Sequence, residues 1–107
     1  MDDKPRAYTA EEVRDLLLDS IHRLSKLWAE QPHYMSTQER CDGLAHSILA
    51  LLDGCNMAMP GFMLTTDPHP DDKEFLRHHG ENWYDKTPMD FMLHEYFYKI
   101  NGEWIDR

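Results

Sequence analysis

The sequence is poor in basic residues and has no long apolar run, and each scarcity argues against a class of protein. Lys and Arg number 11 against 20 Asp and Glu, which gives a formal net charge of −9 with histidine neutral. Phosphate backbones and anionic membrane surfaces are bound by clustered Lys and Arg, so we expect neither as a direct partner. The longest apolar runs, such as residues 48–52, are far too short to cross a bilayer.

Cysteine is scarce as well, and the two present are not expected to form a disulfide. If Cys41 and Cys55 lie on or just after one helix, a rise of ~1.5 Å per residue separates them by about 20 Å, whereas a disulfide spans about 6 Å. We expect two free thiols buried on an apolar helix face, as suits a reducing compartment. Residues 1–5 do not resemble a signal peptide, so the sequence predicts a cytoplasmic protein.

Short catalytic motifs are also missing. The sequence contains no Cys-x-x-Cys or His-Glu-x-x-His pattern for zinc, no Gly-x-Ser-x-Gly nucleophile elbow and no glycine-rich phosphate loop. Carboxylates that could act in acid–base chemistry are abundant throughout, so their presence does not indicate an active site. The sequence therefore favours a non-enzymatic role.

The residues that are present are typical of a soluble globular domain. Of 107 residues, 41% are apolar and 29% are charged. A chain of this length supports one hydrophobic core. We expect a single compact domain over residues 1–107, with residues 1–8 frayed.

Two amphipathic helices are predicted in the first half. The first begins after Thr9, which forms a capping box with Glu12, and holds an apolar stripe for about five turns. The second runs from Ser36, which forms a capping box with Glu39, to Gly54, a residue suited to the left-handed conformation that ends helices. Both boundaries follow from local chemistry.

The second helix is predicted to lie at the centre of the core. Pro32 ends the first helix, and the short link 31–35 predicts an antiparallel helix hairpin. Gly43 lies inside the helix, where glycine costs about 1 kcal/mol relative to alanine, so we expect another element to pack closely there. The predicted apolar stripe consists of Cys41, Leu44, Ala45, Ile48, Leu52 and Cys55, widened by Leu49 and Leu51.

Shorter elements are predicted after Gly54. Residues 62–66 are apolar and then β-branched between turn residues, which indicates a strand. Residues 71–79 predict a short helix that turns Phe75 and Leu76 inward and ends at Gly80.

The last third of the chain supports two interpretations. Thr87 as N-cap and Pro88 at the first helical position favour a helix over 88–98. The Asn101-Gly102 pair between aromatic and β-branched residues is typical of a β-hairpin. We expect the helix, followed by a strand or hairpin arm that pairs with 62–66. The predicted fold is therefore α+β and mostly helical: an antiparallel helix hairpin and a C-terminal helix packed on a sheet of two or three strands.

Histidines and carboxylates in the second half supply the candidate chemistry. Metal-ligand residue types are concentrated there, but no spacing among them is typical of a specific metal motif. The alternative to ligation is structural, with His69 capping a proline turn and His94 packing on the first two helices. A divalent metal is thus an alternative cofactor, and a metal-dependent or small-molecule-binding protein an alternative function, using His69, Asp71, His94 and Glu95.

Large amphipathic side chains outnumber what a small core can hide. Trp and Tyr are enriched at the centres of protein interfaces. Together with the acidic surface they favour binding to a protein partner, which has a basic surface or is a second copy of the chain. The candidate partner-binding residues are Asp67, Asp71, Asp72, Glu81, Trp83, Tyr84, Asp85 and Trp104.

Six segments of the chain, within residues 36–98, resemble a family of small uncharacterised proteins of bacterial and phage genomes. They are 39–49, 52–54, 59–62, 67–73, 80–84 and 93–98. The resemblance implies no activity. The sequence favours a small acidic binding or regulatory module, such as a phage- or bacterium-encoded inhibitor of a basic partner.

Overall fold

A computed structural model describes residues 4–57, 59–89, 92–100 and 103–104. The helices are α1 (Ala10–Ala29), α2 (Thr37–Leu52), α3 (Asp72–His78) and α4 (Leu93–Tyr96). The strands are β1 (Leu64–Thr65), β2 (Pro88–Met89), β3 (Lys99–Ile100) and β4 (Glu103–Trp104). Helices make up nearly half of the chain and the strands pair in small antiparallel sheets, so the broad prediction of an α+β fold is confirmed.

Both long helices begin at the predicted capping boxes. The Thr9 hydroxyl accepts from the amide of Glu12 (3.2 Å), whose carboxylate accepts from the amide of Thr9 (2.9 Å). In α2 the Ser36 hydroxyl accepts from the amide of Glu39 (3.0 Å), whose carboxylate accepts from the amide of Ser36 (3.2 Å). Each box satisfies two amides that a helix leaves without an internal partner, so these boundaries are locally determined.

The end of α2 is also locally determined. Gly54 has φ +83°, the left-handed conformation predicted for it. Its amide donates to the Leu51 carbonyl (3.1 Å), and the Cys55 amide donates to the Ala50 carbonyl (2.9 Å). These two bonds form a Schellman motif, which stops the helix and holds the backbone of Cys55 against it.

Close packing between α1 and α2 is centred on Gly43, as predicted. The Trp28 ring lies over this glycine, where an added Cβ would come within 2.4 Å of Cζ3. The Trp28 indole N–H donates to the Ser47 hydroxyl (2.9 Å). Gly43 and Leu51 are the buried residues of α2, and Leu51 has no exposed surface. The buried ridge of α2 therefore runs along Gly43, Ser47 and Leu51, at spacings of four residues.

The prediction of two buried cysteines was wrong. Cys41 and Cys55 are both free thiols, as predicted, but both are exposed. Cys41 lies two residues before Gly43, about 200° around the helix, which places it away from the ridge that α1 covers. Cys55 lies past the end of α2, beyond the packed ridge.

The predicted helix over 88–98 was wrong in its first half. Pro88 and Met89 form β2, which pairs with β1 in the register Leu64↔Met89 and Thr65↔Pro88. Thr87 cannot cap a helix here because its amide donates to the Thr66 hydroxyl (2.8 Å) and its own hydroxyl donates to the Asp85 carbonyl (3.1 Å). The helical prediction survives only as α4.

The C-terminal hairpin forms, but not on the expected partner. β3 pairs with β4 in the register Lys99↔Trp104 and Ile100↔Glu103. The predicted Asn101-Gly102 turn itself lies outside the described residues. The strand predicted over 62–66 is present as Leu64–Thr65, and its partner is β2 and not the C-terminal arm. Within the described residues the strands make two separate two-stranded sheets.

The α3 region lies at the surface. The helix matches the prediction and ends before Gly80, which has φ +70°. Phe75 was predicted to point inward but is 61% exposed, with its ring 4.4 Å from the His79 ring. The physical reason is that α3 has no extensive contact with another helix or strand among the described residues. None of the described helices is long and apolar enough to cross a membrane.

Candidate functional site

Seven of the eight predicted partner-binding residues are exposed in the structure. Every side chain over 77–89 is exposed, including Trp83 at 39% and Tyr84 at 72%. Asp67, Asp71 and Asp72 are exposed as well. We name the surface formed by residues 67–72 and 81–85 the acidic-aromatic face. The eighth candidate, Trp104, has a side chain outside the described part of the structure.

Two contacts bring the halves of the acidic-aromatic face together. The Lys73 ammonium at the start of α3 lies 5.3 Å from the centroid of the Trp83 ring, a cation–π contact. The Thr66 hydroxyl donates to the Asp85 carbonyl (2.6 Å), which brings the chain before Asp67 beside the end of the second loop. The first carboxylates of the face therefore lie near its aromatic residues.

The four residues of the predicted metal alternative belong to separate contacts. His69 Nδ1 accepts from the Asp71 amide (3.2 Å), the local turn contact expected of a structural histidine. His94 instead contacts Asp53. In the described residues no group of three or more His, Cys, Asp or Glu side chains could hold a metal ion. The structure thus does not bring His69 and Asp71 together with His94 and Glu95 as a ligand set.

Asp53 and His94 form a part-buried contact of several hydrogen bonds. The Asp53 carboxylate accepts from the amides of Leu93 (3.0 Å) and His94 (2.8 Å) and from His94 Nδ1 (2.6 Å). Its side chain is only 5% exposed. Met92, the residue before α4, makes no capping bond with its own side chain, so Asp53 caps α4 from the end of α2.

The electrostatics of this contact keep Asp53 ionised. Burial opposes ionisation, but the hydrogen bonds from the His94 amide, the His94 ring and the Leu93 amide outweigh it, so the pKa of Asp53 is lowered. An ionised carboxylate can only accept hydrogen bonds. His94 Nδ1 therefore carries a proton and donates it to Asp53, so Nε2 is the only ring nitrogen that can act as an acceptor.

Other reactive and aromatic side chains surround His94. Cys55 Sγ lies 4.0 Å from Nδ1 and 4.0 Å from Nε2 of the ring. The His46 ring packs edge-on against the His94 ring with 5.5 Å between centroids, and stacks on the Tyr98 ring at 5.8 Å. We define these residues, Asp53, Cys55, His46 and His94, as the His94 cluster.

Sequence reasoning missed the His94 cluster apart from His94 itself. Asp53 was interpreted only as part of a helix end, and Cys55 as a buried apolar residue. The partners of His94 lie about forty residues away in the chain, so no short motif links them. The sequence offered one signal for this cluster: an Asp, a Gly and a Cys in succession at the end of α2, and a His later in the chain.

The structure therefore presents two candidate sites, the exposed acidic-aromatic face and the part-buried His94 cluster. No family model, curated protein or solved structure matches this chain.

Proposed function

We propose that this protein binds another protein, one with a basic surface, through the acidic-aromatic face. The observation that carries the proposal is that all of residues 77–89 lie at the surface, including Tyr84 at 72% exposed and Trp83 at 39% exposed. A tryptophan and a tyrosine side by side on the surface leave apolar area in water that a partner would cover. Such residues are enriched among those that contribute most to binding energy.

Charge favours a basic partner over a second copy of the chain. Carboxylates outnumber Lys and Arg on the face, and the whole chain has a net charge of −9. Two such faces would repel each other, whereas a basic surface would be attracted and steered during encounter. A phage- or bacterium-encoded inhibitor of a basic enzyme, acting in the cytoplasm, fits this chemistry.

The scaffold behind the face is proposed to be an antiparallel helix hairpin of α1 and α2. The supporting contacts lie at the junction of the helices: Trp28 packs on Gly43, and the Arg40 guanidinium donates to the carbonyls of Gln31 and Pro32 (3.1 Å each). A short link favours antiparallel neighbours. Distances between spin labels along the two helices would test this arrangement.

The alternative function, a metal- or small-molecule-binding protein, has weaker support. It needs His69 and Asp71 to act together with His94 and Glu95, and no contact among the described residues joins these two pairs. Metal analysis of protein purified without a tag addresses it directly.

The binding proposal is tested with a partner captured from a cell extract, purified and returned to the isolated protein. Raising salt from ~0.05 to ~0.5 M shortens the Debye length from about 14 to about 4 Å, so we expect the association rate to fall much more than the dissociation rate rises. Asp71→Lys with Asp72→Lys should lower the association rate by about tenfold or more for a steered complex. Surface plasmon resonance measures both rates.

A matched control reverses two carboxylates outside the face. Glu11→Lys with Glu30→Lys changes the net charge by the same amount at exposed positions of α1 and its C-cap. We expect this variant to retain most of the association rate, and Trp83→Ala to speed dissociation. Equal losses in the two charge variants would indicate non-specific attraction, and binding insensitive to salt, to Asp71/Asp72 and to Trp83 would refute the proposal.

A further inference from the structure

Cys55 has the surroundings of a nucleophilic thiol. Its side chain is exposed, and its backbone is held by the Schellman motif at the end of α2. Its sulfur lies equally close, at 4.0 Å, to both ring nitrogens of His94. Catalytic and reactive thiols share this arrangement of an accessible sulfur beside a histidine that a third group orients.

Asp53 determines which nitrogen of His94 can accept a proton. Because the carboxylate accepts from Nδ1 at 2.6 Å, the proton of the neutral ring lies on Nδ1 and the lone pair on Nε2. Because Cys55 Sγ is 4.0 Å from both ring nitrogens, it does not lie along the lone pair of Nε2, so proton transfer requires a rotation of the thiol side chain or a bridging water. Such loose geometry is common before a reactant binds.

We propose that Cys55 is a modification site at which low-molecular-weight disulfides form a mixed disulfide. In this role His94 accepts the thiol proton and Asp53 is a positioning residue. The Cys55 thiolate attacks one sulfur of the disulfide, a new S–S bond forms and the original S–S bond breaks. The leaving thiolate takes the electron pair and receives the proton from His94 Nε2. Glutathione disulfide is the probe that represents this class.

The adduct would lie at the junction of α2 and α4. The contacts of Asp53 with the Leu93 amide and the His94 ring join these two elements. A group attached to Cys55 would have to fit beside them. Modification of Cys55 does not depend on partner binding by the acidic-aromatic face, and the two proposals are tested separately.

Cys41 supplies an internal control in the same chain. It is also an exposed free thiol, and it makes no hydrogen bond with a histidine among the residues that the structure describes. In the native protein, treated with glutathione disulfide and quenched with acid, we expect Cys55 to be modified about tenfold faster than Cys41 because of its neighbouring proton acceptor. Mass spectrometry of the two cysteine peptides gives both rates. In urea the two rates should become equal.

Two variants separate the chemical role from a structural one. His94→Gln should reduce the Cys55 rate to that of Cys41 without changing the Cys41 rate. Asp53→Ala should reduce it as well, because the ring loses the acceptor that holds its proton on Nδ1 and the proton is free to move to Nε2. Nitrogen NMR of the His94 ring reports this change of tautomer, which simple loosening of the structure would not produce.

The outcomes decide the proposal even where a variant fails to fold. Equal rates at Cys55 and Cys41 in the native wild-type protein would overturn it, with no variant needed. So would a folded His94→Gln variant, with an unchanged circular dichroism spectrum, that keeps the rate ratio of the wild type. Added imidazole that restores fast modification of Cys55 in His94→Gly, and leaves Cys41 unaffected, would support it.

Discussion

At the scale of single residues, the contact between Trp28 and Gly43 depends on a missing side chain. The indole ring lies where the Cβ of any other residue would be, and its N–H is engaged by Ser47. The indole ring is rigid and its N–H is hydrogen-bonded, so it cannot move aside for an added Cβ as the flexible end of a long aliphatic side chain could. Glycine is therefore kept at a helix position where it is intrinsically unfavourable.

We predict that Gly43→Ala destabilises the protein. Alanine would recover about 1 kcal/mol of helix propensity, but overpacking against Trp28 costs typically 1–3 kcal/mol, so we expect a net loss of up to about 2 kcal/mol. Urea denaturation measures it. In a Trp28→Leu background the same substitution should be neutral or stabilising, and a loss of the same size in both backgrounds would contradict the packing argument.

Asp53 makes stability depend on pH in a defined direction. Its pKa is lower in the folded protein than its ordinary value of 3.8. A depressed carboxyl pKa contributes stability that is fully present above the unfolded value and is lost as pH falls through the folded pKa. The bonds from Asp53 to α4 should therefore weaken only in acid, at pH below about 3.8.

We predict that Asp53→Asn costs about 1.5–3 kcal/mol near neutral pH, the range for hydrogen bonds to a charged group. The free-energy difference from the wild type should shrink as pH falls below the ordinary aspartate value, because the wild-type carboxylate is then protonated too. Denaturant titrations at several pH values provide the measurement. Asp67→Asn, at an exposed aspartate, is the control that should show little cost at any pH.

At the scale of elements, the hydrogen bonds of one residue, Thr66, extend the sheet of β1 and β2. The Thr66 hydroxyl donates to the Asp85 carbonyl (2.6 Å) and accepts from the Thr87 amide (2.8 Å), while the Thr66 amide donates to the Thr87 carbonyl (3.0 Å). These bonds extend a sheet whose strands are only two residues long. They also connect residues 81–85 of the acidic-aromatic face to β1.

We predict that Thr66→Val opens this sheet without unfolding the helices. The substitution keeps the shape of the side chain but leaves the Thr87 amide without its partner and removes one of the two hydroxyl groups that donate to the Asp85 carbonyl. Hydrogen exchange at the Thr87 amide should accelerate by about tenfold or more, as the loss of about 1.4 kcal/mol in local stability implies. Thr65→Val is the control, and similar acceleration in both variants would show that Thr66 has no special role.

At the scale of the whole molecule, the fold is extended and buries few apolar side chains. Only Leu51 and Met59 are buried apolar residues among those described, and the apolar residues of α1 are at most half-buried. Leu18 and Leu27 on α1 remain 50% and 52% exposed. The radius of gyration is 18.5 Å, against about 13 Å for a compact chain of this length.

We predict that small-angle X-ray scattering of the monomer gives a radius of gyration near 18.5 Å. The physical reason is that α3 and the acidic-aromatic face have too few contacts to be drawn onto α1 and α2. A value near 13 Å, expected for compact packing, would contradict the arrangement. Light scattering on the same sample establishes that the monomer is being measured.

Local chemistry in the sequence determined where α1 and α2 begin and where α2 and α3 end. The capping boxes at Thr9 and Ser36 and the left-handed glycines at positions 54 and 80 act within a few residues, so a sequence pattern contains all the partners involved. The Asn-Gly hairpin and the short strand in 62–66 are predictable for the same reason. The exposed acidic and aromatic residues could also be proposed from composition and order.

Only the tertiary structure decided which face of α2 is covered, which strand pairs with β1, and what surrounds His94. Trp28 selects the ridge of Gly43, Ser47 and Leu51, so both cysteines are left exposed. Thr66 bonds to the backbone amide and carbonyl of Thr87, which places Thr87 beside β1 and not at the start of a helix. Each decision joins residues about fifteen to forty positions apart in the chain. Such contacts depend on how elements pack, and neither periodicity nor spacing along one segment reports that.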